Sequence, residues 1–429
     1  MLTDAWFQLR YHAQQAEYWR STARFKAVAA GRGSGKTLLA RRKIVRWLPV
    51  KKPWNDPKYF YALPTLPQAK RVAWEQIRAL IPSEWIAEEN KTELRIKTIF
   101  GSTLFLYGMD RPHRAEGLQY DGGIVDEASD ERPSVVPKTF LPALSERTGW
   151  LDLIGVPKRF GIGATYFKQF CDELCDEYYH WPSSDIVGPA EIENAKRLLD
   201  ARDFDEQYNA SWLNATGQIF YAFNESWNVT NDAQYNENLP IIVGSDFNVN
   251  PMAWVLGHWI EVAGNICFLV FDNIFRRDTN TEKTLDYLYA KYGTHTAGWE
   301  FYGDATAAAR KTSATISDYL QIKNDKRFSQ HGNAKVFYSK SNPLFINRVA
   351  ACNAMLRNAR GEVRVFIHPQ CKPLINDLSA RSWKENSREP DDFGDMGHIS
   401  DAFGYPIYKR FPLRLEAGKE IQSKVMLLR

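Results

Sequence analysis

The feature that most constrains the fold is a glycine-rich turn placed between an apolar strand and a helix. A strand-like run, Phe25–Ala30, leads into Gly-Arg-Gly-Ser-Gly-Lys-Thr at residues 31–37, and the helical stretch LLARRKIVRWL follows. Glycines at such a turn allow successive backbone N–H groups to converge on a phosphate at the N-terminus of the helix. The pattern therefore predicts a phosphate-binding loop within an α/β domain.

The chemistry of this loop follows from its last two residues. Lys36 is expected to reach the β- and γ-phosphates of ATP, and the Thr37 hydroxyl is expected to ligate the accompanying Mg²⁺. The strict pattern opens with a glycine, whereas this chain has Ala30, which is still small. The nucleotide-binding residues predicted in the loop are Gly31, Arg32, Gly33, Ser34, Gly35, Lys36 and Thr37.

A second motif of the first half is an apolar strand that ends in two acidic residues. The run Gly123–Val125 is followed by Asp126 and Glu127. Beside a phosphate-binding loop, Asp126 is expected to bind the Mg²⁺ of ATP, and Glu127 to polarise the water that attacks the γ-phosphate. A further strand at Trp150–Pro157 ends in a turn, where nucleotide sensing is expected.

The second half has a different order of elements. A segment rich in asparagine and turn-forming residues, 216–238, is predicted to be a linker. Three strands follow, then a helix, a strand ending at Asp304, a helix, a strand through VRVFI, a helix near Cys371 and a helix from His398. This order is that of an RNase H-like nuclease fold.

Three aspartates are the candidate metal ligands and catalytic residues of that fold: Asp246, Asp304 and Asp401. Converging carboxylates repel one another, so they are tolerated where divalent cations neutralise them. Two Mg²⁺ or Mn²⁺ ions would activate water and stabilise the leaving oxygen of a phosphodiester. Additional candidates for a fourth carboxylate are Asp272, Asp278, Glu282 and Asp395. His398 is interpreted either as a residue that orients Asp401 or as a structural hydrogen-bonding residue.

The motifs together resemble those of one family. The order ARFKAVAAGRGSGKT, YALPTLPQAKRVAW, HRAEGLQYDGGIVDEAS and LIGVP resembles the ATPase half of tailed-phage terminase large subunits, and the three aspartate motifs resemble terminase nuclease signatures. The resemblance implies an adenine-side glutamine, for which Gln14 or Gln15 is the counterpart unless both face solvent. Arg32 and Arg114 are candidates for stabilising γ-phosphate charge. Val156 departs from the family, which commonly has threonine there.

The resemblance also implies an organisation and a set of partners. It implies an ASCE-type P-loop ATPase domain with a mainly parallel sheet at 1–215, the linker, the nuclease domain at 239–410 and a basic tail at 411–429. ATP hydrolysis would drive double-stranded DNA into a procapsid, and the nuclease would cut concatemeric DNA. The implied partners are double-stranded DNA, the portal protein, the small terminase subunit and further copies of the chain on the portal, with a monomer in solution.

Composition limits the other classes of protein. Formal net charge is only +4, so the chain as a whole is not a polycation that coats nucleic acid. The basic clusters at 41–43, 51–52, 340–348, 357–360 and 409–410 are interpreted either as DNA contacts or as solvated helix faces. The five cysteines lack CxxC spacing, so we expect them to be reduced thiols. The chain has no long apolar run and no signal-peptide core, so we expect neither a membrane span nor secretion. The expected location is the host cytoplasm and, transiently, the portal vertex.

Two other functional classes remain open at this point. A helicase–nuclease or repair-type ATPase would share the ATPase core, although no second set of helicase motifs follows the predicted linker. A structural DNA-binding subunit with an inactive nucleotide site is the third class. The intact set of Lys36, Thr37, Asp126 and Glu127 argues against it.

Overall fold

The chain forms two compact units, each with its own sheet. The first comprises Met1–Glu193 and Phe204–Asn214, and the second comprises Asn194–Asp203 and Ala215–Arg429. The computed structural model describes residues 6, 11–159, 161–213, 217–248, 250–308, 316–330, 334–339, 341–384, 387, 389–392 and 394–413. Within these ranges, no helix combines the length and the apolar character needed to cross a bilayer.

The first unit is built on an eight-stranded sheet with the order β3-β4-β5-β2-β6-β7-β1-β8. Neighbouring strands from β5 to β8 are parallel, and β3 and β4 extend the sheet in antiparallel fashion. The strands are β1 Phe25–Ala30, β2 Lys58–Leu63, β3 Ile86–Asn90, β4 Arg95–Thr98, β5 Thr103–Gly108, β6 Gly122–Asp126, β7 Trp150–Gly155 and β8 Glu177–Trp181. Because β7 lies between β1 and β6, the sheet has the ASCE arrangement, and the predicted fold class is confirmed.

Helices pack on both faces of this sheet, over two separate apolar cores. Val28 and Ile154 belong to one core, and the adjacent residues Ala27 and Leu153 belong to the other, as the period-2 alternation of a strand requires. These helices are α1 Ala13–Arg20, α2 Lys36–Trp47, α3 Leu66–Gln68, α4 Glu75–Leu80, α5 Leu141–Ser145 and α6 Ala164–Gln169. Two more helices, α7 Pro189–Leu198 and α8 Ala201–Gln207, each have residues in both units.

The second unit is built on a six-stranded sheet with the order β13-β12-β9-β10-β11-β14. Its strands are β9 Ile241–Asp246, β10 Met252–Val262, β11 Asn265–Arg276, β12 Trp299–Gly303, β13 Lys335–Phe337 and β14 Val365–Ile367. Its helices are α9 Glu225–Asn228, α10 Thr281–Tyr292, α11 Asp318–Asn324, α12 Lys326–Gln330, α13 Phe345–Leu356, α14 Lys372–Ala380 and α15 His398–Arg410. The meander β9-β10-β11 with β12 and β13 parallel to β9 is the RNase H-like arrangement, as predicted.

Two details of the second unit differ from the prediction. The predicted strand in VRVFI is present as β14, which pairs with β11, but the strand beside β12 is β13, which was not predicted. Part of the segment interpreted as a linker packs within the second unit. Asn228 is fully buried there, and its Nδ2 donates to the main-chain oxygens of Leu356 at 3.1 Å and Val365 at 3.0 Å.

The basic cluster at 41–43 is neither a solvated helix face nor a DNA contact, because its side chains are buried. Arg41, Arg42 and Lys43 are 5%, 2% and 2% exposed, respectively. Arg348 of the cluster at 340–348 is buried as well. The segment 357–360 follows α13 without being helical, and Arg357 and Arg360 are exposed, so a DNA contact there stays a prediction. Lys43 is buried beside the carboxylate of Asp152, a partner that the sequence does not reveal.

Candidate nucleotide site and candidate nuclease site

The phosphate-binding loop lies between β1 and α2 in the conformation that its glycines permit. Gly33 and Gly35 have φ values of 71° and 80°, in the left-handed region that favours glycine. The loop is anchored from outside, because the Arg32 N–H donates to the Gln207 oxygen at 2.6 Å and the Ser183 hydroxyl donates to the Arg32 oxygen at 2.7 Å. The N-terminus of α2 is thereby held with its free N–H groups facing the loop.

Lys36 is buried and folds back over the loop. It is 7% exposed, and its Nζ lies 3.4 Å from the main-chain oxygen of Gly31. Burial lowers the pKa of Lys36, and the negative charges of Glu127 and Asp126 oppose that shift. The ammonium thus faces both acidic residues, where a nucleotide phosphate would lie.

Both carboxylate oxygens of Asp126 accept hydrogen bonds from hydroxyl groups. The Thr37 hydroxyl donates to Asp126 Oδ1 at 3.3 Å, and the Tyr61 hydroxyl donates to Asp126 Oδ2 at 2.7 Å. Burial, followed by the charge of Glu127, raises the pKa of Asp126, and the Tyr61 hydrogen bond and Lys36 oppose that shift. A hydroxyl beside a carboxylate is a donor pair that suits Mg²⁺, so these residues fit the ion expected with ATP.

Glu127 occupies a special backbone position at the end of β6. Its φ of 58° is in the left-handed region, and its N–H donates to Asp126 Oδ1 at 2.9 Å. Burial raises the pKa of Glu127, but the positive charges of Lys36, Lys158 and Arg32 outweigh burial and lower it overall. The side chain is therefore held as a carboxylate, the form that a general base requires.

Of the two candidate glutamines, the structure places Gln15 against the loop. Gln15 is fully buried and its Nε2 donates to the Ser34 oxygen at 2.9 Å, whereas Gln14 is exposed. The indole Nε1 of Trp181 donates to the same oxygen at 3.1 Å. Trp181 was missed by the sequence reasoning, because a tryptophan at the end of a strand carries no local signal of this contact.

The cations around Glu127 differ from those predicted. Lys158, which was not a candidate, has its Nζ 4.0 Å from the Glu127 carboxylate and also pairs with Asp130. Arg32 is half-buried and lies within electrostatic reach of Glu127, whereas Arg114 is exposed on the short turn Pro112–Ala115. The sequence signal that could have identified Lys158 is its position directly after Pro157, at the end of the β7 motif.

Val156 joins the acidic turn through its main chain. The Ser129 hydroxyl, two residues after Glu127, donates to the Val156 oxygen at 2.5 Å. The main-chain oxygen of Ser129 accepts from the Gly163 N–H at 2.9 Å. The end of β7 and the turn after β6 are therefore linked without a hydroxyl at position 156.

In the second unit, two of the three candidate aspartates come from adjacent parallel strands. β12 pairs with β9 so that Gly303 lies opposite Ser245. Asp246 and Asp304 directly follow these paired residues, so both leave the sheet at the same edge. Asp304 accepts hydrogen bonds from the Thr306 hydroxyl and, at 3.2 Å, from the Ala307 N–H.

Asp401 reaches that edge from α15, which packs closely on β9. A Cβ on Gly244 would collide with the main-chain oxygen of Ala402, so glycine is required for this approach. Asp377 fixes the N-terminus of α15 by accepting the Gly397 N–H at 3.0 Å. The first turn of α15 thus carries Asp401 to the ends of β9 and β12.

The negative charges of Asp304 and Asp401 act on Asp246. Burial raises the pKa of Asp246, and the negative charges of Asp401 and Asp304 add to that shift, while His398 opposes it. His398 Nδ1 lies 2.8 Å from Asp246 Oδ2, and this hydrogen bond raises the pKa of His398. The suggestion that His398 orients Asp401 is therefore corrected, because its partner is Asp246.

The donor types of this cluster fit divalent cations, although the side chains are turned to protein partners. Carboxylate oxygens suit Mg²⁺ and Mn²⁺. In the part of the chain that the structure describes, no three His, Cys, Asp or Glu side chains are arranged to hold an ion. Asp246 is turned to His398, and Asp401 is turned to Arg348 and Arg381. Metal binding by Asp246, Asp304 and Asp401 remains a prediction.

The additional acidic candidates do not join the cluster. Asp272 Oδ2 pairs with Lys291 Nζ at 2.6 Å and accepts from the Tyr292 hydroxyl at 2.8 Å. Asp395 pairs with Arg277, and both Asp278 and Glu282 are exposed. Asp272 therefore has a structural ion pair of its own.

The fold and the two sites define a P-loop ATPase joined to an RNase H-like nuclease fold. The chain is similar to the solved large terminase of a thermophilic bacteriophage, with a TM-score of 0.57 and 14% identity over 94% of this chain and 99% of that one. The same phage protein in complex with ADP gives a TM-score of 0.55 with 16% identity, over 93% and 99% of the two chains. This likeness is one of fold.

The chain also resembles a curated relative in sequence. The chain is 27% identical over 382 residues to the terminase large subunit of Escherichia phage T5, which covers 79% of this chain and 76% of that protein. No protein-family profile matches the chain. The resemblance to phage terminase large subunits that the motifs predicted is confirmed.

Proposed function

We propose that this chain is the large subunit of a DNA-packaging terminase, in which ATP hydrolysis drives double-stranded DNA into a procapsid and a nuclease cuts concatemeric DNA. The observation that carries the proposal is the assembly of Lys36, Thr37, Asp126 and Glu127 in one site of a chain whose second unit collects three aspartates. The solved complex of the thermophilic phage terminase with ADP supports nucleotide binding by this fold.

The first site performs hydrolysis through positions that the structure supplies. The loop N–H groups and Lys36 bind the β- and γ-phosphates, and Arg32 adds positive charge. Mg²⁺ bound with ATP would neutralise phosphate charge between Thr37 and Asp126. Glu127 accepts a proton from the attacking water, and its carboxylate is kept ionised by the surrounding cations.

The second site performs phosphodiester cleavage through its carboxylates. Asp246, Asp304 and Asp401 would hold two Mg²⁺ or Mn²⁺ ions, which supply an activated water and stabilise the leaving oxygen. His398 holds the Asp246 carboxylate in place from the neighbouring helix. Any ions that these carboxylates bind would lie at the ends of β9 and β12, where Asp246 and Asp304 leave the sheet.

The partners follow from the same proposal. Several copies of the chain assemble on the portal vertex, the small terminase subunit guides them to viral DNA, and the chain is a monomer before assembly. The second unit is an RNase H-like sheet where a helicase–nuclease would carry a second motor lobe. That observation favours the packaging function over the repair-type alternative.

The proposal is tested by Glu127→Gln in a packaging assay with purified procapsids and portal. We expect ATP hydrolysis and DNA uptake to be abolished, because the proton acceptor is lost, while nucleotide binding and metal-dependent cutting are retained. Glu116→Gln is the matched control, since Glu116 is exposed on the turn before β6. Packaging by Glu127→Gln at the rate of the control would sink the assignment.

A further inference from the structure

Two arginines converge on a single oxygen of Asp401. Arg348 on α13 and Arg381 after α14 both place a guanidinium nitrogen 2.8 Å from Asp401 Oδ1. No described residue donates a hydrogen bond to the second oxygen, Oδ2. A carboxylate proposed to bind a divalent cation is therefore already shared with two positive charges.

Both guanidiniums are built into the unit and are not mobile surface groups. Arg381 is 2% exposed, and it donates to Asp392 Oδ1 at 2.8 Å and to the Ser400 hydroxyl at 2.9 Å. Arg348 is 6% exposed and lies over the Tyr405 ring at 4.6 Å from its centroid. Packing on an aromatic ring and hydrogen bonds of this kind fix the direction of a guanidinium.

The two arginines differ in what else they pair with. Arg381 has a second acidic partner in Asp392, which it contacts with two nitrogens. Arg348 pairs, among the described residues, with Asp401 alone as an acidic partner. Loss of Arg348 therefore alters the charge on Asp401 directly, whereas loss of Arg381 would also break the Asp392 contact and the start of α15.

The charge balance of the cluster has a consequence for cation binding. Asp246, Asp304 and Asp401 carry three negative charges when ionised, and Asp392, which pairs with Arg381, adds a fourth. The guanidiniums of Arg348 and Arg381 offset two of these four charges. Two divalent cations would then leave an excess of positive charge in a partly buried site, which is unfavourable. The negative phosphates of a bound DNA strand would restore the balance.

We propose that Arg348 is a positioning residue that competes with divalent cations for Asp401, so that the nuclease site binds its metal weakly until a DNA backbone is present. The inference rests on the proposed nuclease function. It couples metal loading to DNA binding, and by linkage the metal must strengthen DNA binding by the same factor. The arrangement would keep the nuclease from loading its ions on the free protein.

The first test is calorimetric titration of Mn²⁺ into the full chain in the absence of DNA. We expect Arg348→Met to bind Mn²⁺ at least about tenfold more tightly than the wild type, because a neighbouring positive charge is removed. Arg364→Met is the matched control. Arg364 is a half-buried arginine of the same unit, and its guanidinium donates to the Ala354 oxygen at 3.1 Å. Equal or weaker Mn²⁺ binding by Arg348→Met, with Arg364→Met like the wild type, overturns the inference.

A second variant keeps the inference testable if Arg348→Met does not fold. Arg348→Lys keeps the positive charge and loses the planar fork, so we expect Mn²⁺ affinity between those of the wild type and Arg348→Met. If Arg348→Met does not fold, a lysine variant that binds Mn²⁺ no more tightly than the wild type overturns the inference.

The second test measures the coupling itself. Anisotropy of a short fluorescent duplex is followed with and without Ca²⁺, which replaces Mn²⁺ so that cutting does not consume the DNA. We expect the ion to strengthen duplex binding more in the wild type than in Arg348→Met, and equal strengthening would contradict the coupling. The Asp304→Ala variant distinguishes a failure of the proposed nuclease function from a failure of the present inference. If it binds Mn²⁺ as well as the wild type, the nuclease-site assignment fails, whereas an unchanged Arg348→Met overturns only the present inference.

Discussion

The Thr37 hydroxyl donates a hydrogen bond to Asp126 Oδ1 at 3.3 Å, although the two residues are 89 positions apart in the chain. The contact joins the phosphate-binding loop to the end of the acidic strand. Tyr61 holds the other oxygen of Asp126 at 2.7 Å, so the carboxylate has a fixed direction. These contacts therefore hold the two halves of the expected Mg²⁺ site together.

This contact predicts the behaviour of three variants. Thr37→Val and Asp126→Asn should each lower the rate of ATP hydrolysis by about a hundredfold or more, since each removes a group expected to bind Mg²⁺. Thr37→Ser keeps the hydroxyl and should stay within about tenfold of the wild type. Phosphate release measured at saturating ATP, with circular dichroism as the check on folding, decides the matter. Equal activity of the valine and serine variants would contradict the role of the hydroxyl.

Ser129 is predicted to link the hydrolytic turn to the end of β7. Its hydroxyl donates to the Val156 oxygen, and Gly161 packs against its main chain. Ser129→Ala should slow hydrolysis several-fold while leaving nucleotide affinity unchanged, because the turn that carries Glu127 loses one anchor. Ser145→Ala is the control, since the exposed Ser145 hydroxyl bonds only within its own helix at 2.8 Å. Weaker nucleotide binding with an unchanged hydrolysis rate would argue for a different role.

Asp152 is predicted to be critical for stability. It is fully buried and lies 3.1 Å from Lys26 Nζ and 3.0 Å from Lys43 Nζ, and the Tyr18 hydroxyl donates to it at 2.7 Å. Asp152→Asn leaves two buried ammonium groups without their counter-charge, which costs about 3–5 kcal/mol. Urea denaturation of the wild type and the variant measures the free energy of unfolding.

The control for this prediction is an exposed ion pair of the same unit. Asp172 pairs with Lys168 at 2.6 Å, and both side chains are about half exposed. Asp172→Asn should lower the free energy of unfolding by no more than about 1 kcal/mol. A loss of similar size in both variants would show that burial of the Asp152 cluster is not what matters.

Glu131 is predicted to make stability depend on pH. Burial raises the pKa of Glu131 to about 7, from an ordinary value of 4.5. Since the folded pKa is the higher one, the stabilising contribution is fully present below pH 4.5 and is lost as pH rises to about 7. The free energy of unfolding falls by on the order of 3 kcal/mol at most.

Glu131→Gln should therefore be more stable than the wild type at pH 8, and the difference should shrink as pH falls towards 5. Thermal melts across this pH range compare the two proteins. A difference that does not vary with pH would contradict the proposed titration.

The sequence predicted the parts of the fold that depend on local pattern. The phosphate-binding loop and the strand ending at Asp126 can each be recognised from a few neighbouring residues. The buried charges depend instead on partners far along the chain. Lys43 pairs with Asp152, and Arg348 pairs with Asp401, so neither burial follows from a run of basic residues.

What the sequence did not predict in the second unit has a similar cause. The apolar run in VRVFI predicts the strand β14, but no local pattern reveals that β14 pairs with β11. β13 spans only Lys335–Phe337, too short for a period-2 pattern to show. His398 was recognised as a residue near the aspartates, and its partner Asp246 is 152 positions away.

The central claim is that one chain carries a nucleotide-driven motor and a separate metal-dependent endonuclease. It is tested most directly by incubating closed circular plasmid with the purified protein and Mg²⁺ or Mn²⁺, with and without ATP, beside Asp304→Ala. We predict cutting that requires the metal and Asp304 and does not require ATP. Cutting by Asp304→Ala at the wild-type rate, or cutting that requires ATP and a free DNA end, would contradict the account.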